Sequence, residues 1–394
     1  MKLLIVSTWC PVLPDNGARL RAYHLIRTLA QRHDVTLVSF ADREPPKAAL
    51  DVLRALVTRM EIVIGSPFAQ RSLTRRGLFS TTPRSLVQAH HAGMQQTVNR
   101  LAPHCDVALG LELPAAMYLR HLNMPKVFEE AEVSVLRDQA RHASGLARTR
   151  RWLMWRKSAR FMRQLISQFE RTTVVSPQER SLLIDIGVEP SRLAVVHNGV
   201  DDDDFLYPPR PRVPRIIYPG SLTYSANFDA VHEFLRTTWP LLRQRPGLEF
   251  MVTGSIDGVD LSRLPPCDGV RFTGRVDDVK ALIAESTAVV VPLRVGGGTR
   301  LKVLEAMALG TPVVSTSKGA EGLALVNGEH LLIAESPASW TGHVFALLDE
   351  AGLSERLAGA ARAFVARHYR WTDSAAALES LLEHARSAPV KRAS

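Results

Sequence analysis

The order of elements along the chain predicts an α/β protein made of two Rossmann-like, doubly wound domains. Three observations carry that prediction. Short runs of apolar residues alternate with helical patterns, and the alternation occurs twice. A stretch rich in aspartate and proline separates the two series. A late strand then runs into a glycine-rich loop that opens a helix.

The first series begins with Leu3, Leu4, Ile5 and Val6, a continuous apolar run of the kind found in strands buried on both faces. A loop with Pro11, Pro14, Asp15, Asn16 and Gly17 follows. Residues 18–31 have Leu20, Tyr23, Leu25, Ile26 and Leu29 at helical spacing, and 34–40 read as the next strand. Further strands are predicted at 60–64, 106–109, 126–129 and 171–175. Residues 137–169 read as one long basic helix, with cations such as Arg148, Arg156 and Arg163 among Trp152, Leu153, Met154 and Trp155. The expectation is a solvated helix whose apolar side packs on the first domain. The second reading is peripheral membrane contact through 148–163.

The run from Asp201 to Asp204, followed by Pro208, Pro209, Pro211 and Pro214, predicts a solvated linker over 199–214. The second series follows. Strands are expected at 215–218, 249–252, 270–272, 288–293, 312–315 and 331–333, and helices at 228–242 and 301–309. The resulting division is 1–198 for the first domain, 199–214 for the linker and 215–370 for the second domain. An amphipathic helix over 371–387 and a loose tail over 388–394 close the chain.

The chain has 394 residues, more than one ordinary core, with 46% hydrophobic and 22% charged residues, which is ordinary globular usage. The net charge of +10 admits nucleic acid, anionic lipid or phosphorylated ligands as partners, or a basic surface that only keeps the protein soluble. Cys10, Cys105 and Cys267 are odd in number and far apart, so no disulfide framework or metal pair is expected. His90 and His91 are adjacent and point in different directions on a helix. No run reaches the roughly 20 apolar residues of a membrane span. A soluble or peripheral protein is expected.

The informative stretch runs from Val289 to Pro312, a buried strand, a loop containing Gly296, Gly297, Gly298 and Thr299, then a helix opened by Arg300, Leu301 and Lys302. A helix N-terminus presents backbone N–H groups and a positive dipole end to an anion, and glycines let the backbone come close. Arg300 and Lys302 add charge at that end. Glu305 shares a helix face with Lys302 and is suited to accept hydrogen bonds from a ribose diol. The competing reading is a glycine turn before a surface helix with a Lys–Glu pair. A dinucleotide dehydrogenase fits poorly, because the glycine loop comes late and no acid follows the strand at 312–315.

This stretch resembles the donor site of family 4 retaining glycosyltransferases of the GT-B fold. The likeness continues in His197-Asn198-Gly199-Val200-Asp201, Tyr218-Pro219-Gly220-Ser221, Phe272-Thr273-Gly274-Arg275-Val276, Leu304-Glu305-Ala306-Met307-Ala308 and the segment from Ser317 to Leu323. It implies two domains facing a cleft, with the C-terminal helix crossing back to the first. The donor is then a nucleotide diphosphate-sugar, UDP- or GDP-linked. It would be held by Gly17, Gly220, Ser221, Arg275, Val276, Gly297, Gly298, Thr299, Arg300, Lys302, Leu304 and Glu305. Arg300, Lys302 and Glu305 are the expected catalytic set, with no metal and no cofactor required. The implied setting is cytoplasmic, on or near the inner face of the membrane, in cell-surface polysaccharide or glycolipid synthesis.

Three positions depart from the family pattern. Gly297 stands where many members have the first of two glutamates eight apart. No cation lies in Gly220–Asn227, where many carry an arginine and a lysine, and Arg300 and Lys302 are the replacement. Ala131 stands near a common histidine position, which leaves Glu130 or Glu132 for an acceptor-side role or a plain surface loop. The resemblance implies retention through an oxocarbenium-like transition state. A sugar-nucleotide epimerase on the same fold and a catalytically silent nucleotide- or glycan-binding protein are the alternatives. Nucleic-acid binding is a further reading that rests on net charge alone. Asp201 to Asp204 read as a hinge rather than as metal ligands.

Overall fold

The computed structural model describes residues 1–12, 16–65, 83, 91–130, 132–141, 143–208, 212–266 and 268–387. Expectations placed on Pro14, Asp15, His90, Ala131, Pro209, Pro211, Cys267 and the tail 388–394 lie outside them. The chain divides into two compact units, residues 1–197 together with the chain from Trp371 onward, and Asn198–Arg370.

The first unit holds a seven-stranded parallel sheet. Its strands are β1 (Lys2–Ser7), β2 (Asp34–Ala41), β3 (Arg59–Ile64), β4 (Val107–Leu111), β5 (Lys126–Glu130), β6 (Arg171–Val174) and β7 (Leu193–Val195), in the order β3-β2-β1-β4-β5-β6-β7. The apolar run of β1 is continuous because both faces are covered. Leu4 and Val6 enter one core with Phe40 and Phe128, while Leu3 and Ile5 enter the opposite one with Leu37 and Val127. Among the described residues its helices include α1 (Gly17–Leu29), α2 (Lys47–Leu56), α3 (Ala92–Leu101), α4 (Leu113–Leu119), α5 (Val135–Arg141), α6 (Gly145–Ile166) and α7 (Pro177–Asp185). The single long helix predicted over 137–169 is thus two helices. The break falls where Ser144 is extended and Gly145 takes φ +56, a conformation that ends a right-handed helix.

The helix from Trp371 to Ser387 belongs to this unit as well. Ala375, Leu378, Leu382 and Ala385 recur at helical spacing and are buried in the core beneath Leu3 and Ile5. Trp371 stacks on His24, with ring centroids 5.0 Å apart.

The second unit has its own parallel sheet of β8 (Val213–Pro219), β9 (Glu249–Thr253), β10 (Val270–Gly274), β11 (Ser286–Val291), β12 (Val313–Ser315) and β13 (Leu332–Ile333). The order is β10-β9-β8-β11-β12-β13, so strand succession reverses between β8 and β11. Alternate residues again feed two cores, Ile216, Tyr218 and Val290 on one face, Ile217, Val289 and Val291 on the other.

The segment 199–214, expected as a solvated linker, is part of this unit. Its backbone pairs with the far end of the unit, Val200 N–H donating to Tyr369 C=O at 2.9 Å. Asp202–Leu206 form a short helix, α8. Asp204, read as solvated, is buried and ion-paired with Lys280, and Val213 and Pro214 already lie in β8. Four aspartates are tolerated there because Asp204 pairs with Lys280 and Asp202 with Arg370, and because Asp202, Asp203 and Asp204 lie in the first turn of a helix, where negative charge is favoured.

Candidate functional site

In open α/β sheets the crevice outside the strands' carboxyl ends, where strand order reverses, is where ligands bind. In the second unit that place is bounded by the chain after β8 and the chain after β11.

The chain after β11 is shaped by Gly296 at φ +127 and Gly298 at φ +68. A Cβ on Gly296 would come within 3.0 Å of an Arg300 guanidinium nitrogen. Arg300 is buried, 8% exposed, and its Nη1 donates to the Gly297 carbonyl. Its Nε and Nη2 have no hydrogen-bond partner. A buried guanidinium with two unused donors is costly unless an anion completes it. Thr299 is fixed from below by Asn198, whose Nδ2 donates to Thr299 Oγ1 at 2.7 Å. The helix α12 (Leu301–Ala308) then begins with no side chain capping it. Here α9 is Ser225–Thr237, α10 Trp239–Leu242 and α11 Val279–Glu285, in chain order before it.

Lys302 points from the first turn of α12 toward the chain after β8. Its Nζ lies 3.9 Å from the centroid of the Tyr218 ring and 3.5 Å from Asn227 Oδ1. Asn227 is itself held, accepting from Tyr218 OH at 2.6 Å and donating to the Ser221 carbonyl at 2.7 Å. Gly220 must be glycine for this, since an added Cβ would sit 2.5 Å from Lys302 Nζ. Burial and then the Arg300 charge push the Lys302 ammonium down to about 7. Glu305, one turn on, is pushed up to about 7, first by burial and then by Asp204, with Lys280 and Lys302 acting against this.

The structure therefore gathers Gly220, Ser221, Arg300, Lys302 and the glycine loop around one crevice. Other predicted residues stand differently. Leu304 is fully buried in the core, so its side chain holds the helix down and does not face a ligand. Arg275 is exposed just after β10, and Val276 lines a separate cavity of about 400 Å³ with Met251, Phe272, Thr273 and Leu282. Gly17 opens α1 in the first unit, where Asn16 Oδ1 accepts from Arg19 N at 3.0 Å.

Glu130 and Glu132 also belong to the first unit. Glu132 is exposed. Glu130 is buried and accepts from the backbone N–H of Leu113 at 3.0 Å and of Glu132 at 3.2 Å. Those bonds fix its carboxyl against the backbone at the end of β5. Burial and the neighbouring Glu112 hold its carboxyl well above the usual range.

Sequence reasoning passed over Glu112, Asn227 and Lys280, and read Asp204 only as part of a hinge. Glu112 sits just after β4 with φ +69, the only positive φ outside glycine among the described residues. Burial, then Glu129 and Glu132, push its carboxyl up to about 8. Its position at the end of a predicted strand was the available signal. Asn227 and the Asp204–Lys280 pair carry none, because only folding brings them beside Lys302 and Glu305. Among the described residues no three His, Cys, Asp or Glu side chains gather as metal ligands would.

The chain resembles known proteins in sequence and in fold. Residues 213–350 match the family model described as "Glycosyl transferases group 1", and residues 15–204 the one described as "Glycosyltransferase Family 4". The chain is similar to glycogen synthase of Mycobacterium tuberculosis, 27% identical over 201 residues that cover 48% of this chain and 47% of that protein. It thus spans about half the length of the curated relatives it matches. Among solved structures, HepE of Anabaena in complex with UDP superposes with a TM-score of 0.73 at 16% identity, covering 98% of this chain and all 100% of that one. Sucrose-phosphate synthase of Thermosynechococcus elongatus gives 0.69 at 15% identity, covering 98% and 99%. At such identities these two share the fold with this chain.

Proposed function

Because the chain belongs to glycosyltransferase family 4, whose fold is of the GT-B type, we propose that it transfers a sugar from a nucleoside diphosphate-sugar to an acceptor hydroxyl, with retention of the anomeric configuration. The observation that carries this reading is the buried Arg300 guanidinium with two unused donors, at the N-terminus of α12 beside Lys302. That arrangement suits a diphosphate, with Glu305 available to the ribose diol. HepE, of the same fold, is solved in complex with UDP, which makes a UDP-sugar the first donor to test.

The chemistry follows from where charge grows. As the bond from the sugar C1 to the diphosphate lengthens, positive charge develops on the sugar and negative charge on the leaving phosphate. Arg300, Lys302 and the dipole end of α12 are in place before that happens, so they stabilise the transition state without reorganising. The departing phosphate oxygen then takes the acceptor proton. The acceptor is a glycan, a lipid-linked glycan or a small molecule, and the setting is cytoplasmic synthesis of cell-surface polysaccharide or glycolipid. Glu132, exposed in the first unit, is left as an acceptor-side candidate.

The test is thermal stabilisation by UDP, GDP, ADP and TDP. A ligand that binds only the folded state at a hundredfold excess over its Kd adds about 2.7 kcal/mol. One diphosphate should stabilise the wild type, while Arg300→Ala and Glu305→Ala lose the effect. If none stabilises it, or both variants respond as the wild type does, the reading fails. Turnover of the donor without any acceptor, giving an isomeric sugar nucleotide, would favour the epimerase instead.

A further inference from the structure

The helix α6 was expected to lay its apolar side on the first unit. Only its second half does so. Phe161, Met162, Leu165 and Ile166 are buried in the core, whereas residues 144–154 are exposed on every side. Within that free part Leu146 is 91% exposed, Trp152 47%, Leu153 58% and Met154 49%. A cluster of large apolar side chains in water marks an interaction surface, where isolated ones would not.

The charges on the same helix choose the occupant. Residues 145–166 contain seven Lys and Arg and no Asp or Glu. Arg148, Arg150 and Arg160 are exposed and form no ion pair among the described residues. Arg156 lies over the Trp152 ring, its guanidinium carbon 4.9 Å from the centroid. Leu146, Arg150 and Leu153, at i, i+4 and i+7, share one side of the helix. A second copy of this surface would be repelled by like charge. A nucleic acid would satisfy the cations and offer nothing to Leu146, Leu153 and Met154. Anionic lipid satisfies both, because cations meet headgroups while leucine, methionine and tryptophan enter the acyl boundary. No described helix is long and apolar enough to cross a bilayer, and the cations of α6 exclude spanning. The helix is suited to lie on a membrane.

We propose that the exposed first part of α6, from Leu146 to Met154, together with Arg156, is a docking surface for an anionic membrane. The surface holds the protein at the bilayer independently of whether a nucleotide is bound in the second unit.

The experiment is co-sedimentation of the full chain with vesicles of phosphatidylcholine alone and with 30% phosphatidylglycerol, at about 0.1 M salt. The wild type should sediment with the anionic vesicles only. Each cation removed near the surface weakens partition about fivefold, so Arg148→Glu with Arg150→Glu should lose binding by tenfold or more. Leu153→Ser with Met154→Ser should lose it by a similar factor, because the apolar contribution goes. All four positions are exposed, so the melting temperature should stay at the wild-type value and confirm the fold. Wild type left in the supernatant with anionic vesicles overturns the proposal without need of a variant. So does either double variant sedimenting like the wild type, tighter binding to duplex DNA that ignores the serine pair, or a dimer in solution that the serine pair dissolves.

Discussion

Lys302 ties the candidate donor site to pH, and the sign follows from its surroundings. Its ammonium is disfavoured by burial and by Arg300, which brings its pKa down to about 7 in the free protein. A diphosphate beside it restores the charged form toward the usual value of about 10.4. Binding therefore takes up a proton above pH 7, and the contribution of Lys302 to affinity falls as pH rises. The protonated fraction in the free protein drops from about one half at pH 7 to about 3% at pH 8.5, so this contribution weakens about fifteenfold. Below pH 7 it levels off, because the ammonium is already present. Glu305 titrates in the same window, so the comparison must isolate Lys302. Lys302→Arg does this, since a guanidinium stays charged throughout. Titration calorimetry of UDP at pH 6.5, 7, 7.75 and 8.5 should show the wild-type affinity falling about fifteenfold between pH 7 and 8.5 relative to the arginine variant. Buffers of different ionisation enthalpy should reveal more proton uptake in the wild type than in the arginine variant. A relative change below about twofold would refute the reasoning.

Three further outcomes are expected. Gly220→Ala would place a methyl 2.5 Å from Lys302 Nζ, the mobile end of a side chain. UDP affinity in calorimetry should fall about tenfold while the melting temperature barely moves, as a charged hydrogen bond is lost and no core is disturbed. Gly254→Ala is different in kind: φ is +106 and the new Cβ would lie 2.6 Å from the Ser221 backbone nitrogen. Denaturant unfolding should show a loss of about 2–4 kcal/mol. Arg21→Met strands the buried Glu129 carboxylate, whose partner stood 2.7 Å away, and removes donors from the carbonyls of Val196 and His197. It should cost about 3–5 kcal/mol by the same measurement, and a cost under 1 kcal/mol would mean water replaces the guanidinium.

What the sequence determined by itself was whatever rests on local order. Leu3 to Val6 and Val289 to Val291 read as doubly buried strands because periodicity is a property of neighbours in the chain. The glycine loop, Arg300, Lys302 and Glu305 were legible for the same reason, since strand, loop and helix N-terminus are contiguous. Tertiary structure decided where side chains distant in sequence end up. The aspartate run looked like a hinge until Asp204 met Lys280. Glu130 follows its strand in sequence, but only folding sets its carboxyl against the backbone N–H groups of Leu113 and Glu132. Leu304 lies between two site residues in sequence and points into the core, because the helix turns about 100° per residue and only one face meets the crevice. The apolar residues at the start of α6 lacked the cover that their composition suggested. Burial is a sum over contacts from the whole unit, and a linear pattern contains only the part that comes from its own segment.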